Sequence, residues 1–446
     1  MTKQSNEPRP ARWAPRFFAI WIGQAFSLLG SMLVQFALVW WLTQTTGSAT
    51  VLATATLVAV LPGIFIGPVA GALVDRWNRR SIMIVADSLI ALVTLGLIFL
   101  YAIGRMQVWQ VYVAMFLRAA LGGFHWPAMQ SSTSLMVPKE HLARIAGLNQ
   151  SLMGVMNIIS PPLGALLLSV LPLGRVLAVD VITAMLAVAP LFFVAIPQPE
   201  RGAEAAVPGA ARASVWADLR AGFRYVAGWP GLLAILILAM AINFVVNPAF
   251  ALMPILVTKY FGLGALQLGW LESVWGLGVV TGGLVLGVWG GFKRRVVTSL
   301  LGIIGMGIGT LIVGLSPVGA FVMALTGMLV AGFMNPIVNG PFMAVMQSSV
   351  APEMQGRVFS LIQSASLAMM PLSLLIAGPI ADAFGVRVWY VVGGVLCIVL
   401  GLVAFAVPAI MHVEENGHAA SSRTPEDSVA TAAPTEQTRC LGQVET

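Results

Sequence analysis

Apolar stretches of spanning length recur along this chain and constrain its fold more than any other feature. They fall near 17–42, 50–74, 81–103, 107–136, 144–171 and 176–196, and again near 231–256, 266–290, 296–315, 320–346, 357–380 and 388–410. A helix needs about 20 residues to cross the hydrocarbon core of a bilayer, and each stretch meets that length. Only 9% of the 446 residues are charged and 58% are hydrophobic, whereas an average soluble domain carries about 25% charged residues. Such a surface cannot be hidden from water by folding alone. Backbone inside hydrocarbon must satisfy its own hydrogen bonds, so each stretch reads as a helix. The expected fold is all-α and integral to a membrane, with twelve transmembrane helices.

The cations orient the array. With the N-terminus inside, nineteen of the 24 Lys and Arg fall on inside segments, while Arg105, Arg175, Lys259 and Arg387 fall outside and Arg118 lies within a span. This is the positive-inside pattern, and it places both termini in the cytoplasm of a cell (inner) membrane protein. The first stretch exceeds the roughly 7–15 residue core of a signal peptide and reads as a retained span. The expected divisions are a cytoplasmic tail 1–16, a six-helix bundle 17–196, a cytoplasmic linker 197–230, a second bundle 231–410 and a disordered cytoplasmic tail 411–446. Within the linker, Trp216, Leu219, Phe223 and Val226 recur at helical spacing, as in a helix lying on the inner leaflet. Cys397 and Cys440 occupy segments too different to suggest a bridge.

The halves repeat one another. Arg144-x-x-x-Leu148-x-Gln150-Ser151 matches Arg357-x-x-x-Leu361-x-Gln363-Ser364. The phrase Gly123-Phe124-His125-Trp126-Pro127 likewise reads like Gly332-Phe333-Met334-Asn335-Pro336. Two pseudo-symmetric six-helix halves facing across a cavity form the expected architecture.

The loop after span two reads Gly71-Ala-Leu-Val-Asp75-Arg76-Trp77-Asn78-Arg79-Arg80. It resembles the signature loop of the major facilitator superfamily, G-x-x-x-D-[RK]-x-G-[RK]-[RK], with Asn78 at the second glycine. Asn tolerates the positive φ such a turn uses. In that reading Gly71 permits a close helix crossing, Asp75 accepts from a neighbouring helix N-terminus, and Arg76, Arg79 and Arg80 hold the loop at anionic headgroups. Together they form a conformational gate; the alternative is an ordinary positive-inside loop. A truncated echo, Gly287 to Arg295, sits at the matching place of the second half and lacks the acid.

Arg118, followed by Gly122, resembles the superfamily's intramembrane arginine, which accompanies proton-driven transport. An arginine at mid-span costs about 2.5–3.5 kcal/mol on insertion scales, so a partner or a function must hold it. Ser160-Pro161-Pro162-Leu163-Gly164-Ala165 is a degenerate likeness of the antiporter motif and equally suits simple helix packing. With Phe124 to Ser132, Asp87 and Asp180, residues 15–410 resemble the bacterial macrolide-efflux-type branch. That resemblance implies export of bulky amphipathic compounds, antibiotics included, in exchange for protons.

Polar residues form stripes within the spans: Gln24, Ser31 and Gln35 on span one; Arg118, His125 and Trp126 on span four; Gln150 and Asn157 on span five. Asn243 and Asn247 on span seven, Asn335 and Asn339 on span ten and Gln363 on span eleven continue them. Polar groups in hydrocarbon turn inward, either to glue helices or to line a cavity. The resemblance implies cavity lining for spans one, four, seven and ten. Of the acids in or near the spans, Glu272 is the expected proton carrier, with Arg118 supplying the competing positive field. An interfacial, solvated glutamate is the alternative. Asp87 is expected to brace the signature loop and Asp180 a helix end, both standing in reserve for coupling.

Four histidines without ligand spacing and no nucleophile with a partner argue against an enzyme, a metal or a cofactor. None of the four lysines sits in a Walker A loop, and no basic patch interleaved with aromatics suggests nucleic acid. The expected partners are an amphipathic small molecule, protons and the lipid bilayer, with the chain acting as a monomer. Export of an endogenous product such as a siderophore or lipid, or non-energised facilitation, remain the alternatives.

Overall fold

The computed structural model describes residues 13–74, 77–194, 196 and 215–414, and every regular element among them is helical. The first six spans are Trp13–Thr46, Ala49–Val74, Arg79–Ala102, Val108–Met136, Leu142–Val170 and Leu173–Phe193. The second six are Pro230–Ala251, Ala265–Trp289, Arg295–Leu315, Phe321–Ser349, Pro352–Phe384 and Val386–Ala406. Eleven of these are both long and apolar enough to cross a membrane. The remaining one, span four, has 29 residues; Arg118, His125 and a run of Gln, Ser and Thr lower its hydropathy. Span seven continues past Ala251 through a short turn into a π-helical segment, Leu256–Tyr260.

The pairing of helices shows the duplication. In the first half span two packs on four, three on four and six, and one on five and six; in the second, eight packs on ten, nine on ten and twelve, and seven on eleven and twelve. The halves meet where span five crosses eight and span two crosses eleven, two contacts that the same symmetry exchanges. Close approach there depends on missing side chains. A Cβ on Gly269 of span eight would stand 3.0 Å from that of Ala165, and one on Gly378 of span eleven 2.8 Å from the Cα of Thr50. Small residues at crossings let dispersion act between backbones when lipid offers no hydrophobic drive.

An even number of spans puts both ends of the described chain on one face, here the near face. At the far face the halves are sealed. Leu52 and Ala165 of the first half join Leu252, Leu268 and Leu374 of the second in one buried apolar cluster. Asp382, at the last turn of span eleven, accepts from the backbone N–H groups of Ala49 (2.8 Å) and Thr50 (2.9 Å). The hydroxyls of Ser48 (2.9 Å) and Thr50 (2.7 Å) donate to it as well. A carboxylate at a helix N-terminus meets unpaired N–H groups and the positive end of the dipole.

Elements near the near face depart from expectation. Asn78 does not adopt a positive φ: at φ −69° its side chain caps span three, accepting from Ser81 N at 3.2 Å. An Asn at the N-cap satisfies an orphan donor, which a glycine in the family pattern cannot do. Arg79 is buried and donates to the carbonyl of Ser131 on span four. Arg80 donates to the carbonyls of Leu191 and Phe192 at the end of span six, so it completes a helix C-terminus instead of standing free at headgroups. Gly71 lies in the last turn of span two, while Asp75 and Arg76 lie outside the described residues, as do 1–12, 197–214 and 415–446. The linker helix, Val215–Ala227, packs on spans seven and eleven. Val226 is fully buried there and Gly222 abuts the Arg357 carbonyl, while Phe223 is 56% exposed. The side chains of Trp216 and Leu219 lie outside the described part.

Candidate functional site

Each half contains a cavity in the near-face portion of its helices. The first, of 410 Å³, lies between spans one, three, four and five, and its wall includes Gln24, Ser31, Gln35, Asp87, Arg118, His125 and Trp126. The second, of 260 Å³, lies between spans seven, nine, ten and eleven and is lined by Asn243, Asn335, Asn339 and Gln363. These volumes compare with roughly 300–1,000 Å³ for small-molecule pockets. Apolar side chains, among them Met115, Met129 and Met153 in the first and Ile235, Met306 and Phe342 in the second, make up most of both walls.

Two charged clusters stand on the first cavity. Arg118 Nη1 lies 2.5 Å from Asp180 Oδ2. The same carboxylate accepts from Thr94 Oγ1 at 2.8 Å and from Ser31 Oγ at 3.1 Å. Arg118 also donates to Thr94. Spans one, three, four and six thus each place one side chain on the pair. Asp180 is 1% exposed and Arg118 10%; a buried ion pair is tolerated only when its remaining lone pairs and protons are satisfied in this way. Asp87, on span three, forms the other cluster: Gln24 Nε2 donates to Oδ2 at 3.0 Å, and His125 Nε2 stands 3.4 Å from Oδ1. That contact is not a hydrogen bond, and the buried nitrogen has no hydrogen-bond partner in the described structure.

The geometry corrects three placements. Asp180 is not at a helix end: it sits two turns inside span six, where Arg118 holds it. Asp87 does not brace the signature loop but faces Gln24 and His125. Glu272 lines neither cavity and is not the partner of Arg118; it sits on span eight at the seam between halves, next to Ser273, whose hydroxyl reaches the Ile158 carbonyl of span five at 3.3 Å. Sequence distance hid the Arg118–Asp180 pair, because 62 residues and two loops separate its members.

The stripes translate unevenly. Gln150 and Asn157 on span five are exposed and lie off the first cavity, whereas Asn149 lines it and accepts from Trp21 Nε1 at 2.7 Å. One residue turns a helix by about 100°, so a stripe misplaced by one position points elsewhere. Asn247 is half-buried one turn beyond Asn243 and off the second cavity. Ser299 of span nine and Ser366 of span eleven line that cavity; the i, i+3 spacing of Gln363 and Ser366 could have found the second, and no sequence signal marked the first.

The Major Facilitator Superfamily model matches residues 20–373. Among characterised relatives, macrolide efflux protein A of Streptococcus pyogenes is 35% identical over 391 residues, 88% of this chain and 95% of that protein. Multidrug efflux pump Tap of Mycolicibacterium fortuitum is 26% identical, covering 84% and 91%. Of solved structures, a mutant of the nucleoside transporter NupG superposes with a TM-score of 0.69 at 9% identity, covering 88% of this chain and 99% of that one. A bacterial homologue of the human lysosomal transporter Spinster, inward-facing and unoccupied, superposes at 0.66 with 14% identity, covering 94% and 100%. Those two likenesses bear on fold alone, and they agree with the paired six-helix halves. With a family model that spans both bundles and a relative at 35% identity over nearly its whole length, this chain belongs to the Major Facilitator Superfamily.

Proposed function

We propose that this multi-pass membrane protein is a secondary active transporter, not an enzyme. It exports bulky amphipathic compounds, macrolide-type antibiotics among them, from the cell in exchange for protons, with both termini and the near face in the cytoplasm. The observation that carries the reading is the first cavity: a mostly apolar chamber whose wall holds Arg118, neutralised from behind by Asp180, beside a buried carboxylate, Asp87, with one oxygen free of a hydrogen bond. The naming of the relatives as macrolide and multidrug efflux proteins supports the substrate class.

Alternating access follows from the interface. The far face is closed by Asp382 and the apolar cluster while both cavities sit toward the near face, the arrangement for loading from the cytoplasm. Rocking of the halves about the five–eight and two–eleven crossings would exchange the open and closed faces. Asp87 is the preferred proton carrier, since it reaches the cavity and its Oδ1 is free of a hydrogen bond. Asp180 serves to hold Arg118, and Glu272 at the seam is the second carrier to test. One proton supplies about 2.3 kcal/mol per 100 mV and about 1.36 kcal/mol per pH unit, enough for a substantial concentration ratio.

The test is reconstitution in proteoliposomes with an imposed pH gradient and radiolabelled erythromycin. Gradient-driven accumulation by the unaltered protein is expected, with Asp87→Asn retaining exchange at zero gradient and losing accumulation. Undiminished accumulation in Asp87→Asn removes that residue from coupling and moves the test to Glu272→Gln. Movement that ignores the gradient identifies a facilitator.

A further inference from the structure

The two cavities occupy symmetry-related places but differ in chemistry. Among the described residues, every ionisable side chain on their walls, Asp87, Arg118 and His125, belongs to the first half; the second cavity is lined there by amides and hydroxyls among apolar groups, with no charged side chain. Asn243 Nδ2 donates to the Ala239 carbonyl at 2.9 Å and Asn339 Nδ2 to the Asn335 carbonyl at 3.0 Å, which leaves the two amide oxygens as acceptors. The side chains of Asn335 and Gln363 make no hydrogen bond within the described residues, so each presents donor and acceptor together.

A charged group entering this cavity would lose its hydration and meet no counter-charge. A purely apolar group would strand the amides, at about 1–3 kcal/mol for each one left unsatisfied. A group with hydroxyl, ether or ester oxygens and no charge meets both requirements. The 260 Å³ volume falls below the roughly 300–1,000 Å³ of pockets that enclose a whole ligand, so the cavity fits an appendage.

We infer that the second-half cavity is a selectivity subsite for an uncharged, oxygen-rich appendage of glycosyl type, the rest of the ligand resting against the first half. Asn335 and Gln363 are the discriminating residues. The inference rests on the export reading and divides the labour between the halves: coupling and charge in the first, neutral recognition in the second.

The experiment compares equilibrium binding, to purified protein, of erythromycin and its descladinosyl derivative, which differ by one neutral sugar and share the amine. The unaltered protein is expected to prefer erythromycin by about ten-fold, equivalent to about 1.4 kcal/mol. Asn335→Ser and Gln363→Met, made singly so that misfolding of one leaves the other to read, are each expected to erase most of that preference. They should leave affinity for the descladinosyl compound unchanged. Gln150→Leu on span five, exposed and off both cavities, should keep the preference. Equal binding of the two compounds by the unaltered protein, or a preference that survives both substitutions, overturns the subsite while the export reading stands. Binding of neither compound overturns the export reading and the subsite with it.

Discussion

Replacing Asp382 by asparagine should release the far face. Its carboxylate joins span eleven to the start of span two through four hydrogen bonds of 2.7–2.9 Å. In a buried site a hydrogen bond to a charged group contributes about 1.5–3 kcal/mol. Asp382 is exposed, however, and exposed ion contacts are worth about 0.2–1 kcal/mol after screening. The helix N-terminus adds about 0.3–1 kcal/mol. Asparagine keeps one acceptor oxygen but loses the charge, so a net loss of about 1–2 kcal/mol is expected, a shift of roughly five- to thirty-fold from far-face-closed to far-face-open. Spin labels at Trp109 and Val318, both well exposed (59% and 55%) and on far-face segments of opposite halves, would report it. The expected result is a longer-distance population that grows in Asp382→Asn and shrinks again in Asp382→Glu. An unchanged distance distribution in folded Asp382→Asn would refute the argument that this carboxylate latches the halves.

Removing one member of the Arg118–Asp180 pair should lower stability by about 3–5 kcal/mol, and Arg118→Met with Asp180→Leu together should cost less than either alone; thermal unfolding in detergent checks the order, and additive losses contradict it. Gly269→Leu should clash with Ala165 and Pro161 across the five–eight crossing and lengthen the same label distance, whereas Gly287→Leu, with open space around its Cα, should not. Arg80→Ala frees the carbonyls of Leu191 and Phe192 and should speed amide exchange in the last turn of span six, with a stability loss of about 1–2 kcal/mol; exchange as slow as in the unaltered protein would deny the cap. Reporter fusions after Arg80, Lys139 and Arg295 should read cytoplasm and those after Arg105, Gly174 and Lys259 outside; an outside signal at Arg80 would reverse the proposed topology.

The bilayer makes much of this protein readable in one dimension. Each span has to close its own backbone hydrogen bonds and match a fixed hydrocarbon thickness, so the observed helices start and stop within a few residues of the apolar stretches. Span eleven is the largest departure, running from Pro352 where the apolar stretch begins near 357, because proline fits the first helical turn and an amphipathic turn can extend past the hydrocarbon. The duplication was legible for the same reason: Gln150 and Gln363 repeat along the chain whatever their side chains later touch.

What tertiary structure alone decided is which face each polar residue presents and which charge it meets. Asn149 lines the first cavity and Gln150 does not, although composition cannot tell neighbours apart. Asn78 caps a helix at negative φ where the family pattern suggested a turn. Arg118 was recognisable as a costly charge that needed a partner, yet the choice among Asp87, Asp180 and Glu272 depended on how spans three, four, six and eight pack. Coulomb attraction and desolvation act over a few ångströms of space, not over intervals of sequence. The sequence by itself therefore determined the membrane, the helices and their two-fold repeat, and packing determined that Asp180 neutralises Arg118, that Asp87 faces the first cavity, and that the described lining of the second cavity is neutral.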